Sequence, residues 1–161
     1  MFNGAFTQIL LIGLAAILIV AAAIDVRTFT ISNRLNLTVA LLAPVYWLSI
    51  ALPIWPGVGI QLAAGAGVFV LLACAFHAGM MGGGDVKLAS ALALWFSPGG
   101  TVKFLVLMSV AGGVLTLAIL GWHRMRKREG RPEIPYGVAI AFGALAILVP
   151  NLAQPFLNQF A

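Results

Sequence analysis

Long apolar runs alternate with short polar segments along the chain, and this pattern predicts about six membrane-spanning helices, some of them short. The mean hydropathy is +1.08, and charged residues make up only 8% of the chain. A soluble domain of this size would need more polar surface. We therefore expect an all-α polytopic membrane protein in which residues 1–161 form a single domain. The spans are predicted at about residues 5–24, 37–52, 58–76, 85–96, 102–122 and 136–149.

Polar and glycine-containing segments mark the ends of these spans. Ser32 is predicted to cap the second span, Gly79–Gly84 to form a glycine-rich loop, and Ser97–Gly100 to form a turn. The fourth span extends only about 20 Å at roughly 1.5 Å per residue, and the sixth is also short. Since a bilayer core is about 30 Å thick, Asp85 is expected to lie below the membrane surface. The tail from residue 151 is expected at the interface, and the tryptophans near span ends fit an aromatic belt: Trp47, Trp55, Trp95 and Trp122.

The distribution of positive charge predicts the orientation in the membrane. With six spans, eight of the nine basic residues fall on one side, and the positive-inside rule makes that side cytoplasmic. Both termini would then be periplasmic, with the glycine-rich loop on the cytoplasmic side. The net charge of +5 is therefore taken to reflect the orientation of the chain in the membrane, and nucleic-acid binding is not expected. No basic residue precedes Arg27, so the first span is expected to be retained and not to be a cleaved signal peptide.

Two of the four acidic residues adjoin apolar runs, where a charge is costly and usually functional. These are Asp25 and Asp85, which the predicted topology places on the same side of the membrane. Two close carboxylates do not both ionise easily, so one can act as a base toward water while the other, protonated, polarises a carbonyl. From the helix dipoles, and from Lys87 near Asp85 in the sequence, Asp85 at a helix start is expected to ionise before Asp25 at a helix end.

Neighbouring residues are candidates for supporting such a site. Gly82, Gly83 and Gly84 permit close approach of another backbone, while Lys87 and Asn33 could orient or hydrogen-bond the acids. Each also has a structural explanation, as a flexible turn, an interface anchor or a helix cap. No metal or cofactor is expected: Cys74 is the only cysteine, and the spacing of His77 with the acids fits no familiar metal site.

The sequence motifs resemble those of type IV prepilin peptidases. Gly82-Gly83-Gly84-Asp85-Val86-Lys87 looks like the GxGD motif of that family. Asp25 followed by Ile31-Ser32-Asn33 is similar to its first aspartate segment, and Ile134-Pro135-Tyr136-Gly137 to the segment before its last span. The three motifs occur in this order, and the resemblance covers most of the chain, from Asp25 to Ile140.

The resemblance implies an aspartic endopeptidase of the bacterial inner membrane, with Asp25 and Asp85 as the catalytic pair. Its partners would be the lipid bilayer and a prepilin or pseudopilin, whose basic leader it would cut at the cytoplasmic face. Glu129 and Glu133 are candidates for binding that leader. The chain starts almost at once with a span and has one cysteine, so it resembles the small, peptidase-only form of Flp/Tad-type pili, and methyltransferase activity is not expected.

Two other functions compete with a protease. A small proton- or cation-coupled transporter or channel subunit would use Asp25 and Asp85 as ion sites, but it would often show an internal repeat and acids near the bilayer midplane. A non-catalytic scaffold of a secretion assembly would need neither aspartate.

Overall fold

The structure is a computed structural model that describes residues 4–126 and 133–157, with side chains up to residue 152. Within these residues the fold contains helices and no strands. The helices are α1 (Gly4–Thr28), α2 (Asn33–Ser49), α3 (Gly59–His77), α4 (Gly83–Ala93), α5 (Pro98–Met125) and α6 (Tyr136–Leu157), and a short irregular helical turn (Ile54–Val58) leads into α3. The predicted all-α fold is confirmed.

Three helical segments of the described chain are long and apolar enough to cross a bilayer: α1, Ile54–His77 and α5. Many of their apolar side chains, such as Val70 and Leu117, are exposed on the outside of the fold. In water this surface would be unfavourable, whereas in lipid it is the expected one. The chain is a polytopic membrane protein.

Helix α4 lies at the centre of the packing. It has 11 residues, about 16 Å of helix at 1.5 Å per residue, so it is too short to span a bilayer. Its residues from Leu88 to Ala93 are all buried, and α2, α3 and α6 pack around it. A helix that is apolar on every side is expected in such a position.

Two tryptophans fix the C-terminal end of α4. The indole N–H of Trp47 donates to the carbonyl of Leu94 over 2.8 Å, and that of Trp95 donates to the carbonyl of Val39 over 3.0 Å. Both side chains are buried. For these two residues the aromatic-belt prediction is wrong. The carbonyl of Leu94, at the end of α4, has no intrahelical donor and receives one from the buried Trp47, and the buried Trp95 binds the carbonyl of Val39 within α2.

Several helix ends differ from the predictions. The Ser32 cap is confirmed, since its hydroxyl accepts from the amide of Leu35. The predicted turn at Ser97–Gly100 is instead the start of α5: Ser97 caps the helix by accepting from the Gly100 amide, and Pro98 is tolerated in a first turn. The predicted loop Gly79–Gly84 ends early, because α4 begins at Gly83.

Helix α6 is longer than predicted. It continues past residue 149 to Leu157 and includes residues assigned to an interfacial tail. Pro150 removes one backbone donor, but the helix continues, and the side chain of Asn151 donates to the carbonyl of Ile147 over 3.0 Å. Residues 158–161 of the predicted tail, and 127–132 of the predicted basic loop, lie outside the described residues.

Candidate active site

Asp25 lies in the last turn of α1 and is held by the first turn of α6. Its side chain is only 2% exposed. The backbone N–H of Gly137 donates to Asp25 Oδ2 over 2.7 Å, and the amide of Val138 also hydrogen-bonds this carboxylate. The first amides of a helix have no intrahelical acceptor and carry partial positive charge. A carboxylate from α1 therefore fills the anion site at the start of α6.

Asp85 lies in the first turn of α4 and accepts a hydrogen bond from its own helix. The backbone N–H of Gly82 donates to Asp85 Oδ2 over 3.1 Å. The side chain is 8% exposed, and Oδ1 is buried without a hydrogen-bond partner among the described residues. Because an ionised carboxylate needs donors on both oxygens when it is buried, this environment favours the protonated form of Asp85.

Ile31, in the segment between α1 and α2, packs against both helix starts that bind the two acids. It is buried and touches the first turns of two helices. A Cβ added to Gly84 of α4 would lie 2.8 Å from the Ile31 carbonyl oxygen, and one added to Gly137 of α6 would lie 2.9 Å from Ile31 Cδ1. The structure thus brings Asp25 and Asp85 to the same end of the helix bundle.

The two carboxyls are close enough for their charges to interact. Burial first, and the negative charge of Asp25 second, raise the pKa of Asp85 to about 6, while the hydrogen bond from Gly82 lowers it. Asp85 lies outside the three long membrane spans, and its protonation depends on the charge of Asp25. A raised carboxyl pKa next to a second acid is the arrangement that keeps one proton on an aspartate pair.

A polar cavity of about 260 Å³ opens at Asp85. Its lining residues are Phe29, Gly79, Met80, Met81, Gly82, Asp85, Glu133, Ile134 and Tyr136. Phe29 has a φ of 52°, in the left-handed region that non-glycine residues seldom adopt. Such conformations cluster at functional sites. Asp85 therefore adjoins a space that can admit water and part of a substrate.

The glycines of the predicted motif have different environments. Gly82 precedes α4 and supplies the amide that binds Asp85. Gly84 is packed against the backbone at Ile31, and the side-chain amide of Asn36 donates to its carbonyl over 3.0 Å. A Cβ on Gly83 would make only an ordinary contact with Phe76, 3.4 Å away.

Lys87 and Asn33 contact each other and do not line the Asp85 cavity. Lys87 Nζ donates to Asn33 Oδ1 over 2.8 Å in an exposed position. Both residues line a separate cavity of about 500 Å³ between α2, α3 and α4. Of the two acids predicted to bind a leader, Glu133 lines the Asp85 cavity, whereas Glu129 lies outside the described residues.

Sequence reasoning missed the roles of Gly137 and Ile31. It treated Tyr136-Gly137 as the start of the last span without noticing that the free amides there need an acceptor. Pro135 directly before that span is the available signal, because proline is favoured at the start of a helix. The dipole prediction that Asp85 ionises first considered only α1 and α4. With α6 included, Asp25 has the stronger set of donors.

Among the described residues, no group of three or more His, Cys, Asp and Glu side chains is placed to hold a metal ion. In a comparison with protein families, the model of the type IV leader peptidase family matches residues 12–117, which include Asp25 and Asp85. No curated protein and no solved structure matches the chain significantly.

Proposed function

The chain belongs to the type IV leader peptidase family, and we propose that it is an aspartic endopeptidase with Asp25 and Asp85 as its catalytic pair. A leader peptidase of this kind is a hydrolase. The observation that carries the aspartic assignment is that two buried carboxyls, each bound by a backbone amide at a helix start, lie close enough for their charges to interact, and that one of them, Asp85, lines a polar cavity. Of the other two acids in the sequence, Glu133 precedes α6 and lines the same cavity, and Glu129 lies outside the described residues.

The hydrogen bonds support different roles for the two acids. Asp25 accepts backbone amide hydrogen bonds from Gly137, over 2.7 Å, and from Val138, and is the ionised partner, so it takes a proton from a water molecule as that water attacks the scissile carbonyl carbon. Asp85 keeps its proton and donates a hydrogen bond to the carbonyl oxygen. In the tetrahedral intermediate the oxygen takes the Asp85 proton. When the C–N bond breaks, Asp25 gives its proton to the leaving nitrogen, and Asp85 regains its own as the carboxyl product forms.

The substrate proposed for this enzyme is a prepilin or pseudopilin, anchored in the bacterial inner membrane. Its leader would be cut at the cytoplasmic face, and both termini of the enzyme would be periplasmic. The eight basic residues on the predicted cytoplasmic side support this orientation. The form that we propose is a peptidase-only enzyme of the Flp/Tad type.

Co-expression with a candidate prepilin tests the proposal. Loss of the leader is followed on a gel for the unmodified protein and for Asp25→Asn and Asp85→Asn. Each variant keeps the size of its side chain but cannot exchange the proton, so we expect cleavage to fall by a factor on the order of 10³ or more. Lys103→Gln, at the other end of α5, controls for expression and membrane insertion. Cleavage that survives either aspartate change would exclude the aspartic mechanism, whereas no cleavage by the unmodified protein would favour a scaffold or transporter.

A further inference from the structure

A second, apolar groove lies between α3 and α5 and is not used by the proposed chemistry. Its volume is about 460 Å³, within the range of roughly 300–1,000 Å³ typical of binding pockets. Leu72 and Ala75 of α3 form one wall, and Ser109, Gly112 and Gly113 of α5 form the other. The groove reaches the outside of the bundle at Leu117, which is 72% exposed. It therefore opens sideways, toward lipid.

This groove continues into the Asp85 cavity. Met80, Met81 and Tyr136 line both spaces. Met80 is 64% exposed, and methionine side chains can adapt to an irregular occupant. The groove therefore adjoins a polar cavity lined by the carboxyl groups of Asp85 and Glu133, which a lipid tail would not contact favourably.

The chemistry of the two spaces differs in a way that defines the occupant. In the described part of the chain, the Asp85 cavity is lined by two acidic side chains and by no basic one, and with Asp85 protonated Glu133 supplies its negative charge, so the cavity favours a polypeptide segment with positive charge. The groove is lined almost entirely by apolar and small residues, and small residues let a second helix approach closely. A single chain with an apolar helix and a cationic extension satisfies both.

We propose that the groove between α3 and α5 is the docking site for the membrane-spanning helix of the substrate, and that the adjoining cationic segment passes Met80 and Tyr136 to reach Asp85. The inference rests on the proposed function, because it takes the substrate to be membrane-anchored. Helix docking places the scissile bond by fixing the distance between the anchor and the acids, as positioning contacts do in other enzymes.

A pair of glycine substitutions tests this docking site. A Cβ added to Gly113 meets nothing within 4 Å, and the same holds for Gly67 of α3, which lies outside the groove. Gly113→Leu therefore fills the groove without disturbing the core, and Gly67→Leu is the matched control. Two probes are used: a model substrate with a basic leader and an apolar helix, and a short peptide across the same scissile bond that lacks the helix.

For the anchored probe, we expect Gly113→Leu to lower kcat/KM by about tenfold or more, chiefly through KM, with Gly67→Leu close to the unmodified protein. For the short peptide, all three proteins should be equal. Equal cleavage of the anchored probe by Gly113→Leu and Gly67→Leu would overturn the docking site. If the unmodified protein cut neither probe while Asp85 was intact, the proposed function would fail instead.

Crosslinking measures docking even without cleavage. In an Asp85→Asn background, p-benzoylphenylalanine replaces Leu117 in the groove or, as control, Val70 on the lipid-facing side of α3. We expect the anchored probe to crosslink at position 117 several times more strongly than at position 70. Equal crosslinking at both positions, or attachment of lipid alone at position 117, would exclude this groove as the substrate site.

Discussion

The backbone N–H of Gly137 donates a hydrogen bond of 2.7 Å to Asp25 Oδ2, although the two residues are 112 positions apart. The last turn of α1 and the first turn of α6 are thereby joined at the candidate active site. The same bond fixes the orientation of the Asp25 carboxylate and places it beside the positive end of the α6 dipole. It makes Gly137 a positioning residue for the proposed reaction.

Gly137→Ala should damage the site directly. The added Cβ would lie 2.8 Å from Asp25 Oδ2 and 2.9 Å from Ile31 Cδ1, so the carboxylate has to move. Because a displacement of about 1 Å in a catalytic group can cost roughly 100-fold, we expect kcat for leader cleavage to fall by about 10- to 100-fold. Gly121→Ala on α5, whose added Cβ has no neighbour within 4 Å, is the control. Similar rates for the two variants would contradict this role of Gly137.

Gly84 and Gly83 are predicted to differ sharply although they are adjacent. A Cβ on Gly84 would lie 2.8 Å from the carbonyl oxygen of Ile31, a backbone atom that cannot rotate away. Gly84→Ala should separate α4 from the segment before α2, with a loss of about 1–3 kcal/mol in stability and a large loss of cleavage. Gly83→Ala gains the same helix propensity and meets only Phe76 at 3.4 Å.

Thermal unfolding in detergent and leader cleavage in membranes measure both effects. We expect Gly83→Ala to unfold at or slightly above the temperature of the unmodified protein and to remain active. If the two variants lost stability equally, the close packing of Gly84 against Ile31 would not be what requires glycine there.

Much of the fold could be predicted because the relevant signals are local. Among the described residues, apolar runs located the six α-helices, and two acids in an apolar setting identified Asp25 and Asp85 as the pair to compare. Contacts between distant parts of the chain carry no such signal. The amide of Gly137 and the carbonyl of Ile31 could not be assigned to the site, since no local pattern specifies which helix start faces which acid.

That Lys87 does not face Asp85 could have been predicted from the sequence. Lys87 follows Asp85 by two residues, which on a helix corresponds to a rotation of about 200°, so the two side chains do not face each other. Asp85 lines the polar cavity, and Lys87 points instead to Asn33 at another cavity.

The extension of α6 through Pro150 was missed for a different reason: packing against α1 and α5 outweighs one lost hydrogen bond.

Lys87→Met is therefore expected to leave leader cleavage close to that of the unmodified protein. The hydrogen bond to Asn33 is exposed, and surface changes of this kind usually alter stability by within about 0.5 kcal/mol. Asn33→Ala removes the same contact from the other side and should behave alike. A loss of cleavage for Lys87→Met comparable to that for Asp85→Asn would mean that the lysine acts on the catalytic pair.

The pH dependence of cleavage should report the shared proton. The pKa of Asp85 is raised to about 6, and the proposed reaction needs Asp85 protonated. We therefore expect kcat/KM to fall as the pH rises through about 6, with a slope of one proton, when the enzyme is assayed in detergent against a short leader peptide whose own groups do not titrate there.

Removing the charge of Asp25 should move that titration. In Asp25→Asn the second cause of the raised pKa is absent while burial remains, so the pKa of Asp85 should drop below about 6 and stay above its ordinary 3.8. Infrared absorption of the protonated carboxyl, assigned with Asp85→Asn, measures this in the inactive variant. Folding stability should change with pH in the same direction. Because the pKa of Asp85 is higher in the folded than in the unfolded protein, its protonation stabilises the fold fully below about pH 3.8, and this contribution is lost as the pH rises through about 6. An Asp85 titration unaffected by Asp25→Asn would mean that the two carboxyls do not share a proton.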